Sequence, residues 1–153
     1  MLPFKKILCP TDFSEPSYEA LEAACELAQH FSSELLILHA VAPVPIVPGA
    51  PTVPVSFNVP EYQQELENAS RAMIEEVVRK KVPDKIWTQT LVVLGDPAGQ
   101  IVRIAAEEKV DLIIIATHGQ TGWRRFVFGS VTEKVVRLTP QPVLTIRAPE
   151  KEG

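Results

Sequence analysis

The chain has 153 residues, 46% of them apolar and 22% charged, with a formal net charge of −4. That length reads as a single domain, residues 1–153, with enough chain to bury a real core, and the ordinary composition excludes a disordered polypeptide. The negative balance argues against nucleic acid as a partner, yet it leaves room for an anionic small ligand, because a pocket sets its own local potential.

Met1 to Lys6 leads straight into a strand pattern and lacks the long apolar core of a signal peptide. Residues 6–11 read as the first strand. Ser14, Glu15 and Pro16 then open a helix, with Ser14 as cap and Pro16 tolerated in the first turn. Its stripe is Tyr18, Leu21, Cys25 and Ala28, at helical spacing. Residues 35–41 form a second buried strand.

Residues 42–60 are a proline-rich excursion, expected as a surface loop with extended segments. The uncharged stretch 40–59 is no membrane span, because Pro43, Pro45, Pro48, Pro51 and Pro54 each remove an amide donor. Helical periodicity resumes at Leu66, Ala69, Met73 and Val77. Residues 86–94 read as a third strand, and its alternating Thr88 and Thr90 suit a sheet edge. Gly95, Asp96 and Pro97 turn into a helix carrying Ile101 and Ala105.

Leu112, Ile113, Ile114, Ile115 and Ala116, running on to Thr117, form an unbroken apolar run of the kind a strand buried on both faces requires. It stops in Thr117, His118, Gly119, Gln120, Thr121 and Gly122, and Gly129, Ser130, Val131 and Thr132 follow. A helix is expected from about Val131 to Leu138. Pro140 and Pro142 then flank a turn into the last strand, residues 143–147.

Strand and helix alternate from end to end without an internal repeat, which predicts an α/β fold, a doubly wound five-stranded parallel sheet with helices on both faces. In such sheets, ligands gather outside the carboxyl ends of strands at the topological switch point. Two strand ends carry suggestive chemistry: Pro10, Thr11 and Asp12 after the first, and Thr117, His118 and Gly119 after the fourth. For both to serve one site the first and fourth strands must be neighbours, which predicts the order 3-2-1-4-5. Glycines that free backbone amides at the start of a helix make a cradle for an anion such as phosphate.

Taken together, Lys6 to Ser14, the strand end Leu38, His39 and Ala40, the turn Gly95, Asp96 and Pro97, and the block from Thr117 to Thr132 resemble the universal stress protein family. The resemblance covers the chain apart from the proline-rich loop. Its most specific part is the family's ATP-binding pattern Gly-x2-Gly-x9-Gly-(Ser/Thr): Gly119, Gly129 and Ser130 match it, and its first glycine falls on Ala116. The resemblance implies ATP or another adenine nucleotide as ligand, with Mg2+ or Mn2+ partly neutralising the phosphates. It sets Asp12 near the adenosine and the main chain around Ala40 at the adenine edge. Gly119, Gly129, Ser130 and Thr132 then line the phosphates, with Val131 contributing an amide. It also implies a homodimer through Val143, Leu144, Thr145, Ile146 and Arg147, a short apolar strand expected at a sheet edge.

Plainer roles stand beside these. Asp12 alone reads as a brace for its turn, Ser130 as the cap of the following helix, and His39 as a satisfied structural histidine. His118 has no Cys, His or carboxylate partner at metal-like spacing. Arg124 and Arg125, beside Trp123, read as solvated. Cys9 and Cys25 form no CxxC pair and read as core residues, which fits a reduced, cytoplasmic setting. Neither a P-loop nor the Rossmann glycine fingerprint is present. The reading is therefore a cytoplasmic ATP-binding regulatory protein with at most slow hydrolysis. Its rivals are a nucleotide-free dimeric scaffold of the same fold and an adenylyl-transferring or hydrolytic enzyme on a related one.

Overall fold

A computed structural model describes residues 1–45, 58–117 and 129–148. The elements alternate as β1 (Lys6–Pro10), α1 (Glu15–Phe31), β2 (Glu34–Val41), α2 (Val59–Lys81), β3 (Thr88–Leu94), α3 (Pro97–Glu107), β4 (Leu112–Ala116), α4 (Ser130–Leu138) and β5 (Val143–Ile146). All four strand pairings are parallel and the order is β3-β2-β1-β4-β5, as the two strand ends required.

Side chains alternate across the sheet with period two, so each central strand feeds two cores. Ile7, Cys9, Leu35, Ile37, Leu112, Ile114 and Ala116 face Ala20, Leu21, Ala24 and Cys25 of α1 and Ile74 and Val77 of α2. Leu8, Leu36, Leu38, Ile113 and Ile115 face Ile101, Ile104 and Ala105 of α3 and Val135 of α4. All five residues of β4 are buried, as an inner parallel strand demands. β3 lies at one edge, where its threonines are half-buried. Cys9 and Cys25 are both buried and reduced, as expected for core positions.

The helix starts follow from local chemistry. Ser14 caps α1, Asn58 caps α2 and Asp96 caps α3, each accepting an early backbone amide, and each helix holds a proline in its first turn. α2 therefore begins at Val59, and the last residues of the expected loop belong to it.

Its buried face also differs from the expected stripe. Ser70, Ile74 and Val77 are buried, whereas Met73 is 47% exposed and Ala69 is exposed too. Met73 and Ile74 are 100° apart on the helix. The β-branched Ile74 and the pair Val77 and Val78 set which side turns inward.

Other boundaries shift by one or two residues. Thr11 lies just past β1, Ile86 sits in a turn before β3, and Ser130 opens α4 one residue ahead of Val131. Among the described residues no helix is long and apolar enough to cross a membrane.

Candidate functional site

The chain leaves β1 toward β2 through α1, and after β3 it returns through α3 to β4 on the other side of β1. The carboxyl ends of β1 and β4 are the switch point, where connections diverge and a crevice must open. A cleft of about 280 Å³ lies there. Pro10, Thr11, Asp12, Ala40, Ala116, Gly129, Ser130, Val131 and Thr132 all border it, so the nine described residues named from the sequence meet around one space. His118 and Gly119, like Trp123, Arg124 and Arg125, lie outside the described residues. Ser17, Leu38, His39, Pro97, Ile101 and Ile115 complete the lining. None of these was named as a binding residue, because an apolar wall assembled from three elements leaves no local motif. Leu38, His39 and Pro97 had a signal only as parts of the strand end and the turn that carry the family resemblance.

Three features set the chemistry of the cleft. The first is the start of α4. Its N-cap is Gly129, not Ser130, and among the described residues no side chain caps it, unlike the other three helices. The amides of Ser130, Val131 and Thr132 precede the first intrahelical bond, from Glu133 N to Gly129 O at 3.0 Å. Three N–H groups at a positive helix end thus belong to residues that border the cleft, without a cap among the described residues.

The second is β2. Glu34 N donates to Lys5 O and Thr11 N to Leu38 O, so even-numbered residues of β2 address β1. Leu35 N donates to Trp87 O and Val41 O accepts from Gly95 N, so odd-numbered ones address β3. This alternation turns the N–H and C=O of Ala40 toward β1, which has already ended at Pro10. A donor and an acceptor side by side are left facing the crevice.

The third is the hydroxyl inventory. Ser17 Oγ donates to Ser14 O at 2.7 Å, so in its 2.9 Å contact with Thr11 the hydrogen comes from Thr11. Thr132 Oγ1 donates to Ala116 O at 2.6 Å. These buried hydroxyls offer a ligand lone pairs only. Thr132 is thus left with its amide, not its hydroxyl, as a donor. Ser130 is exposed and its hydroxyl has no partner among the described residues. The oxygen Thr117 Oγ1, next along from Ala116, is buried without a hydrogen bond among them.

Asp12 performs the bracing role: its Oδ1 accepts Ser14 N at 3.0 Å and Ser14 Oγ as well. It borders the cleft while doing so. His39 is satisfied, as expected, with Nδ1 at 2.8 Å from Thr11 O, but it lies within β2 and lines the cleft. Among the described residues no three His, Cys, Asp or Glu converge as a metal ion would need. Burial pushes the Cys25 thiol up to about 11 and the Cys9 thiol still further, so neither is a nucleophile near neutral pH.

A second hollow of about 310 Å³ lies at the other end of the sheet, beside Gln29, Ser32, Glu34, Lys85 and Trp87. It borders the carbonyl end of α1, which disfavours anions. Of the two hollows, only the one at the carboxyl end of the sheet borders a helix N-terminus.

A doubly wound parallel sheet with an open helix start at its switch point defines a class of small-ligand-binding α/β domains. Residues 3–147 match the model of the universal stress protein family, and the chain belongs to that family. It is 37% identical to universal stress protein MJ0531 of Methanocaldococcus jannaschii, over 97% of this chain and 85% of that one. It superimposes on the solved structure of MJ0577 from the same organism with a TM-score of 0.76, at 31% identity, covering 97% of this chain and 99% of that one. A more distant structure, at 18% identity and TM-score 0.62, covering 95% and 98%, is the universal stress protein of Archaeoglobus fulgidus in complex with dAMP.

Proposed function

We propose that this protein binds an adenine nucleotide, ATP in the first instance, in the cleft at the carboxyl ends of β1 and β4, and acts as a binding and regulatory protein rather than an enzyme. The observation that carries the reading is the start of α4, uncapped among the described residues, with three amides at the same cleft as the donor–acceptor pair of Ala40. An anionic tail suits the first and the edge of a purine suits the second. Apolar Leu38, Pro97, Ile101 and Ile115 suit the ring faces between them. Sugar hydroxyls are donors, which the spent hydroxyls of Thr11 and Ser17 can accept. Mg2+ or Mn2+ would travel with the phosphates, its remaining ligands being water and the nucleotide. The dAMP complex of the Archaeoglobus fulgidus relative speaks for the fold as a host of adenine nucleotides, while the residues above speak for this cleft.

No base is held where it would activate water among the described residues, so hydrolysis is at most slow. A cytoplasmic setting fits the two reduced, buried cysteines. A homodimer through β5 belongs to the same reading.

One observation favours the rival scaffold: Val136, Leu138 and Leu144 are large apolar residues left exposed on α4 and the edge strand β5. Mass spectrometry of the protein denatured directly after purification separates the two. Co-released adenine nucleotide is expected. Its absence, together with no uptake of added MgATP, leaves the scaffold.

A further inference from the structure

We propose that His39 is a positioning residue of this site, holding the β1–α1 turn so that Asp12 faces the cleft in register with the backbone of Ala40. The inference rests on the nucleotide reading of that cleft. The turn needs holding because Phe13 sits at φ +63°, a left-handed conformation that residues with a side chain adopt only at a cost. Two bonds within the turn favour it: Phe13 N donates to Thr11 Oγ1 at 3.0 Å and Ser14 N to Asp12 Oδ1 at 3.0 Å. His39 adds two ties from the neighbouring strand, one on each side of Asp12. Its Nδ1 lies 2.8 Å from Thr11 O, and its ring lies against that of Phe13 with centroids 4.3 Å apart and planes tilted by 37°.

A carbonyl only accepts, so Nδ1 carries the hydrogen. The Thr11 carbonyl is also the group that would otherwise continue the β1–β2 ladder and accept from Ala40 N. Drawn to His39 Nδ1, it receives no bond from Ala40 N, so His39 both fixes the turn and holds this carbonyl away from the ladder position. One side chain on β2 thereby sets the spacing of two walls, Asp12 and Ala40.

Three variants test this: His39→Leu removes donor and ring, His39→Phe keeps a ring without a donor, and His39→Asn returns an amide donor near Nδ1. MgATP affinity by calorimetry should fall about tenfold in His39→Leu and His39→Phe, and recover to within about threefold of the parent in His39→Asn. A merely structural role would instead follow side-chain volume in thermal stability, with His39→Phe the least affected and affinity unchanged below the melting range. Amide hydrogen exchange on the ligand-free proteins reads the turn independently. Exchange at Phe13 and Ser14 should quicken in His39→Leu and slow again in His39→Asn, with α2 unchanged.

Parent-like affinity in His39→Leu overturns the proposal. If the parent itself takes up no adenine nucleotide, the functional reading falls. Exchange at Phe13 and Ser14 then decides alone whether His39 holds the turn.

Discussion

At the amino end of the sheet, Asp111 Oδ2 accepts Lys5 N and Lys6 N at 2.7 and 2.9 Å, and Asp111 N returns a bond to Lys6 O. Lys6 Nζ lies between Glu108 at 2.6 Å and Glu34 at 3.3 Å, and Ser33 Oγ donates to Phe4 O at 2.6 Å. At the carboxyl end, the first amides of α4 have no cap among the described residues and the Ala40 N–H and C=O have lost their neighbouring strand. The same kind of backbone group is satisfied from within at one end and turned outward at the other. Polar groups left open where a cleft has formed are a cost to stability that a ligand can offset. The amino end makes the fold, and the proposed binding site falls at the carboxyl end.

If that division holds, mutations at the two ends act on different observables. Asp111→Ala removes the acceptor for two backbone amides and should cost about 2 kcal/mol of stability in denaturant titration, with MgATP affinity unchanged. A loss of affinity from this change would mean the two ends are coupled.

Gly129→Val places a branched side chain where α4 opens on the cleft. The φ of −53° at Gly129 suits any residue, so stability should move little. Affinity should fall tenfold or more, about 1.4 kcal/mol, through obstruction of the amides. Parent-like binding by this variant would move the anion site elsewhere.

Ala116→Gly sharpens the comparison, because Ala116 borders the cleft and packs into the core beneath α1. Restoring the glycine of the family pattern removes a methyl from the cleft wall and should tighten MgATP by about 1 kcal/mol, while added backbone freedom should lower stability by about 0.5–1 kcal/mol. Opposite signs in calorimetry and unfolding are expected.

The smallest effect is alkaline. Burial works to lower the Lys6 pKa, but its hydrogen bonds and charge interactions with Glu108 and Glu34 outweigh it and raise it above 10.5. Such a raised group stabilises the fold below its unfolded value and ceases to do so as pH climbs through the folded one. The raised thiol of Cys25 acts in the same direction from about 9.0 upward, since the unfolded chain gives up that proton first. Unfolding free energy should therefore decline gently above about pH 9.

Much of this was legible in the residues. The parallel sheet followed from apolar runs such as Leu112 to Ile115, and the strand order followed from asking two chemically marked strand ends to share a site. What could not be read locally was anything decided by tertiary contact. Met73 and Ile74 offer α2 two similar faces, and only packing on β2 and β3 selects between them. The far wall of the cleft, Ser17, Leu38, Ile101 and Ile115, carries ordinary core chemistry that becomes a site only through topology. His39 was rightly read as satisfied, but its partner, the Thr11 carbonyl, is a backbone atom 28 residues away that no side-chain motif marks.

The most direct measurement is a calorimetric titration of MgATP into the parent protein freed of any bound nucleotide. Saturable heat with one site per chain, matched by a rise in melting temperature, is the expected result. No heat and no thermal shift at millimolar MgATP would contradict the assignment of the carboxyl-end cleft as a nucleotide site.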